Sequence, residues 1–168
     1  MIYLKKLNMV DSVKEYEFLR ELKSENGFEN NYSNISYDCF LKESIKERLE
    51  SSQGLNLKDG YVPDTYFFLW DDDKIVGLFK VRHYLNEFLK NGAGHIGYSI
   101  GTNFRKKNYA TIGLKLAIEE LKKIMPEDEK EIYLSCFKSN IASLKVQQKN
   151  GAYINHMDEL HFYTRIEI

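Results

Sequence analysis

Apolar residues change their period several times along the chain, and each change marks a boundary. Ile2 to Leu7 alternates well enough for an edge strand. Val13, Tyr16, Leu19 and Leu22 recur at near-helical spacing, so Val13 to Lys23 predicts a helix with Asp11 or Ser12 as its cap. The Asn- and Gly-rich stretch Gly27 to Ser36 predicts a loop. Phe40, Leu41, Ile45 and Leu49 place a second helix from about Asp38 to Ser51, and Gln53 to Pro63 forms a second loop. From Thr65 the period becomes that of strands. TYFFLW is a buried strand, DDDK a tight turn, and IVGLFKVRHYL the returning arm of a β-hairpin.

A crossover from Asn86 to Gly92 leads to a third strand, His95 to Ile100, expected antiparallel to its neighbour. Leu114, Ala117, Ile118, Leu121 and Met125 then make one apolar helical face, with Lys115, Glu119, Lys122 and Lys123 outside it. Pro126 and the acidic PEDEKE end that helix. EIYLSCF is a strand expected to return in parallel after the helical crossover. Asn140 to Asn150 is a short helix ended by Gly151, and Ala152 to His156 and His161 to Ile168 are two strands that close the sheet. No repeat, linker or low-complexity tract interrupts this order, so residues 1–168 are expected to form a single domain.

Composition narrows the function classes. The 168 residues suffice to bury roughly 70% of the unfolded surface. With 24 basic and 25 acidic residues, the net charge of −1 supplies no global field for nucleic acid or an anionic membrane, and neither partner is expected. Cys39 and Cys136 make neither a disulfide framework nor a metal-ligand spacing, so no metal is expected. MIYLKKLNMVDSV lacks an apolar signal core and no run approaches 18 apolar residues, which predicts a cytoplasmic protein.

The candidate chemistry begins at the start of the long helix. A helix N-terminus carries about half a positive charge and usually holds acids, yet Arg105, Lys106 and Lys107 run into it and the first acid is Glu119. Free backbone N–H groups, a dipole and three cations together suit a phosphate, although a solvated basic turn explains the same residues. Neither a P-loop nor a dinucleotide fingerprint is present.

Arg105, Asn108 and Ala110 fill the places of a known signature: Arg or Gln, two residues, Gly, one residue, Gly or Ala, between strand and helix. The segment thus resembles the GNAT family of acyl-CoA N-acyltransferases. Asn108 stands where the family usually has Gly, a mild departure because Asn tolerates positive φ. NIASLKVQQKNGA resembles the family's later signature, and RHYLNEFLKNGAGHIGYSI is similar to a bacterial subgroup of predicted acetyltransferases. The order of the elements is also that of the GNAT fold.

The resemblance implies an α/β (α+β) fold with a mixed central sheet of about six to seven strands flanked by about four helices. It implies acetyl-CoA as cosubstrate, with the pyrophosphate cradled by Arg105, Lys106, Lys107, Asn108, Tyr109, Ala110 and Thr111. The backbones of Ser99 and Ile100 would meet the pantetheine arm, and Asn140 and Ser143 would contact it from the last helix. The implied activity is direct acetyl transfer, within a ternary complex, to a primary amine on a small molecule or peptide. A non-catalytic acyl-CoA sensor or scaffold is the alternative, and a nucleotide binder a weaker third. The last two strands are available to pair across a homodimer.

Acyl transfer to an amine needs a neutral amine, donors for the oxyanion and a proton for the thiolate. His95 is the best base candidate, because family members often carry a base on that strand; a histidine bonding a backbone carbonyl is the plainer reading. His83 and Glu87 flank the crossover and could line the acceptor side. The family's acid is a Tyr on the last helix, where this chain has Gln147, so Tyr98, Tyr109 or Tyr133 must replace it if a side chain does so. Cys136, in an apolar strand, is expected to be an inert buried thiol.

Overall fold

One strand separates two cores. In β2 (Asp64–Asp71), Phe67 and Leu69 face one side while Phe68 and Trp70 face the other, as the period of two requires. The computed structural model describes residues 1–168. On the first side, β2 and β3 (Lys74–Arg82) are covered by α5 (Tyr109–Lys122), whose Leu114, Ala117 and Leu121 are fully buried against Leu69 and Phe79. Truncating one of these leucines to Ala would cost about 2–5 kcal/mol. On the other side lie α1 (Ser12–Glu21) and the helical stretch from Tyr37 to Ser52, which bury Leu19, Phe40 and Ile45.

The stretch expected as one α-helix is instead α2 (Tyr37–Cys39), a π turn over Phe40–Ser44, and α3 (Ile45–Ser52). Phe40 and Ile45 are five residues apart and both fully buried. An α-helix would turn them onto different faces; the wider π turn brings them to one. The crossover after β3 also holds a helical turn, α4 (Glu87–Lys90), capped by Asn86 and pinned by Leu89 against Val62 and Leu85.

The sheet is divided. β1 (Ile2–Lys6), β2, β3 and β4 (Ile96–Ile100) form one antiparallel sheet in that order, with β1 at the expected edge. β5 (Glu131–Phe137), β7 (His161–Glu167) and β6 (Tyr153–Met157) form a second, ordered β5-β7-β6, also antiparallel. The parallel pairing expected of β5 does not form; its one ladder is antiparallel, with β7. The two sheets meet at a single bridge between Gly94 and Leu134, beside which the His95 N–H donates to the Tyr133 carbonyl at 2.7 Å. A Cβ on Gly94 would lie 2.2 Å from the Tyr133 carbonyl oxygen, and its φ is +68°, so only glycine allows this approach. Beyond the bridge β4 and β5 share no ladder, and α6 (Ile141–Lys149) packs over the gap from the side of α5.

Candidate active site

The free edge of β4 follows from its register. Leu78 opposes Ser99 and Lys80 opposes Gly97, while the Arg82 N–H donates to the His95 carbonyl and the Gly101 N–H to the Val76 carbonyl. In an antiparallel pair the bonded residues alternate, so Gly97 and Ser99 turn their backbone groups to β3. Ile96, Tyr98 and Ile100 therefore turn theirs to the open side. Of the two residues expected to use their backbones there, Ile100 has its N–H on that side and Ser99 does not. The Ile100 carbonyl already accepts from Arg105 Nε at 3.1 Å. Tyr98, expected for its hydroxyl, brings backbone groups as well.

The loop after β4 has the conformation that its sequence predicts at Asn108, whose φ is 67° and ψ 4°. Its side chain does not cap α5, whose first internal bond runs from the Ile112 N–H to the Asn108 carbonyl. The N–H groups of Tyr109, Ala110 and Thr111 consequently have no helical partner. Lys106 also adopts a positive φ, 61°, which nothing in its side chain foretells. The cations differ in their freedom. Arg105 is tied to Glu25 in the loop after α1, whereas Lys106 and Lys107 are exposed, Lys107 above the Phe104 ring. The Tyr109 hydroxyl donates to Asp71 at 2.6 Å, leaving only its backbone to the loop. The Thr111 carbonyl accepts from Asn150, the residue that caps the end of the last helix.

Across the gap, α6 presents a connected polar set. Asn140 is a helix cap, its side chain accepting from the Ser143 N–H. Tyr98 and Ser143 hydroxyls are 2.8 Å apart, and the Tyr98 ring stacks on Phe79. Gln147, buried in the position expected for an acid, donates to the Ser135 carbonyl and accepts from Thr164 Oγ1 at 2.7 Å. It also approaches Ser143 Oγ at 3.4 Å, so it steadies the serine that holds Tyr98. Burial pushes the Tyr98 phenol up to about 12 and raises the Cys136 thiol too. Cys136 is thus a protonated, buried thiol, in keeping with an inert role.

The expected bases fare differently. His95 is 1% exposed, and its Nδ1 accepts from the Tyr133 N–H at 2.9 Å. The neutral ring must then carry its proton on Nε2, which has no partner, so neither nitrogen has a free lone pair. Desolvation, with the charges of Arg82, Arg165 and Lys90, lowers its pKa to about 4. This geometry suits a clamp between β4 and β5 and does not support the base role. Glu87 is an exposed residue of the first turn of α4, paired only with Lys90. Its carboxylate is not brought to Tyr98. His83 Nε2 is held 2.8 Å from Thr65 Oγ1. Tyr133 packs edge-on to His95 and lies under the Arg165 guanidinium.

Comparison with known proteins gives the same fold. The chain superposes on an acetyltransferase of the GNAT family from Streptococcus pneumoniae with a TM-score of 0.63 at 13% identity, covering 98% of this chain and 97% of that one. It superposes on the ribosomal-protein-S5-alanine acetyltransferase from Vibrio fischeri with a TM-score of 0.69 at 15% identity, covering 99% and 92%. RimL, a ribosomal L7/L12 α-N-protein acetyltransferase in complex with coenzyme A, gives 0.71 at 14% identity, covering 99% and 94%. At such identities the likeness shows the fold. Curated proteins give no match to the sequence. Residues 29–152 match the model of the acetyltransferase (GNAT) family, and the chain belongs to that family.

Proposed function

We propose that this acetyltransferase moves an acetyl group from acetyl-CoA to a primary amine, directly and within a ternary complex. The carrying observation is two sets of unpaired backbone donors joined by one loop. The first is the alternate N–H groups of Ile96, Tyr98 and Ile100 on the open edge of β4, and the second, beyond the positive-φ residues Lys106 and Asn108, is the N–H groups of Tyr109, Ala110 and Thr111 in the first turn of α5. Coenzyme A fits such a pair of sites. Helix N–H groups at residues 109–111 suit a phosphate, and an unpaired strand edge suits an amide-bearing arm laid alongside it. Acetyl-CoA supplies the activated acetyl group. The Ile100 N–H is the donor for charge developing on the carbonyl oxygen. The Tyr98 hydroxyl, on the strand that borders the gap and held beside Ser143, stays protonated at neutral pH and is the hydrogen-bond donor to the departing sulfur. Neither His95 nor Glu87 is disposed to take the amine's proton, so water removes it.

Spermidine and the α-amino group of a ribosomal protein are acceptors named for two structural neighbours, so the acceptor panel must span small and peptide amines. The test is thiol release from acetyl-CoA across a panel of amines, alongside calorimetric CoA binding. Wild type should release thiol with a subset of amines. Tyr98→Phe should lower kcat by roughly 10²-fold or more while CoA still binds. CoA binding without thiol release from any amine would instead mark a sensor.

A further inference from the structure

The face of β4 turned away from α5 is open and positively charged. Ile96, Tyr98 and Ile100 pack with the α5 core, so Gly97 lies on the opposite face. A Cβ added to Gly97 would meet nothing within 4 Å. Lys80 opposes Gly97 in register, and Arg82 follows two residues later on the same face. Buried Asp64 is the carboxylate of this region, and it is already shared by Arg48 at 3.2 Å and Lys80 at 3.4 Å. Arg82 has no carboxylate within 4.0 Å; its Nη1 donates only to the Gly94 carbonyl at 2.9 Å. Arg165, 6% exposed on the neighbouring sheet, also lacks one and stacks on Tyr133 with 3.7 Å from its guanidinium carbon to the ring centre.

Half-buried Arg82 has opposite it in register only Asp64, which Arg48 and Lys80 already share, and buried Arg165 has no carboxylate within 4.0 Å, so two guanidinium groups poor in counter-charge flank the junction of β4 and β5. His95 Nε2, a buried donor without an acceptor, lies opposite Arg82 on the same face. His95 and Arg165 are buried, and the cations that border the open side of Gly97, beside the strand edge where transfer would occur, are Lys80 and Arg82. We infer that the acceptor amine carries a carboxylate a few bonds from its nitrogen, and that Arg82, supported by Lys80, binds this carboxylate over Gly97. Amino acids and short acidic amines are then the substrate class, and polyamines are excluded by the same charges.

This inference rests on the acetyl-transfer reading, and the experiment separates the two. Each of a set of α-, β- and γ-amino acids is compared with its own primary amide and with the diamine of equal length. Binding to the CoA-loaded wild-type protein is measured by calorimetry, and thiol release from acetyl-CoA is followed in parallel. At least one amino acid should bind and react with a KM roughly ten- to a hundredfold below that of its amide. Arg82→Gln should erase that advantage with CoA affinity unchanged, and Arg82→Lys should restore part of it. If Arg82→Gln does not fold, Lys80→Gln and the wild-type binding panel still decide. Amides or diamines that bind as well as the amino acids would overturn the inference and leave acetyl transfer standing. Selective binding of an amino acid with no thiol release would uphold the site and overturn acetyl transfer.

Discussion

Asn108 and His95 show how single residues set the chemistry of this site. Asn108 stands at φ 67°, which Gly tolerates freely and a β-branched residue does not. Asn108→Gly should leave CoA affinity and melting temperature close to wild type. Asn108→Val should cost roughly 1–2 kcal/mol and weaken CoA binding more than it lowers the melting temperature, because the loop amides must converge. Calorimetry and thermal melts on both variants check this, and a Val variant that binds CoA normally would contradict it. For His95 the prediction concerns pH. Its folded pKa of about 4 lies below the ordinary imidazole value, so between the two the unfolded chain binds a proton that the folded chain does not. Stability contributed by the neutral ring is present above about 6.5 and is lost as pH falls through about 4, roughly 3 kcal/mol in all. Urea unfolding of wild type and His95→Gln at neutral and acidic pH should show this slope in the wild type and a flatter one in the variant. Turnover of His95→Gln should stay within about tenfold of wild type, well short of the 10²–10⁴-fold loss of a true base.

At the level of elements, two joints hold the cleft. The first is the bridge of Gly94 to Leu134, where β4 and β5 touch before parting. Gly94→Ala would drive a methyl into the Tyr133 carbonyl and force a residue with φ +68° to carry a Cβ. A loss of about 3 kcal/mol is expected from denaturant unfolding, together with weaker CoA binding as the strands separate. The second joint is the Glu25–Arg105 pair, which ties the loop after α1 to the basic loop before α5. An incoming pyrophosphate must share Arg105 with Glu25, so Glu25→Gln should strengthen CoA binding by up to about fivefold, measured by calorimetry. Unchanged affinity would mean that Arg105 serves the fold alone. This pair was illegible in the sequence because its partners are eighty residues apart. The positive φ of Asn108 was legible because one residue type in one loop position carried it.

Over the whole molecule, the parts that sequence foretold are those with local causes. Hairpin β2–β3, the apolar face of α5 and the Asn140 cap each depend on neighbours within a few residues. The π turn at Phe40–Ser44 depends on which two side chains the distant sheet must bury, and the split of the sheet depends on β5 choosing β7. The same division holds at the site. The Tyr98–Ser143–Gln147 set joins β4 to α6 and was visible only as separate residues, although the loss of the usual Tyr at Gln147 pointed to a donor elsewhere. His95 stood out for its type and strand position, yet its tautomer is fixed by a backbone N–H on β5 that spacing cannot reveal. The central claim is that β4 and the α5 loop hold acetyl-CoA while the amine takes the acetyl group directly. A single-turnover quench with acetyl-labelled acetyl-CoA and a reactive amine, read by intact-protein mass and product label together, tests it most directly. The label should pass from coenzyme A to the amine with the protein's mass unchanged at every time point. An acetylated protein that forms first and then hands its label to the amine would contradict the account.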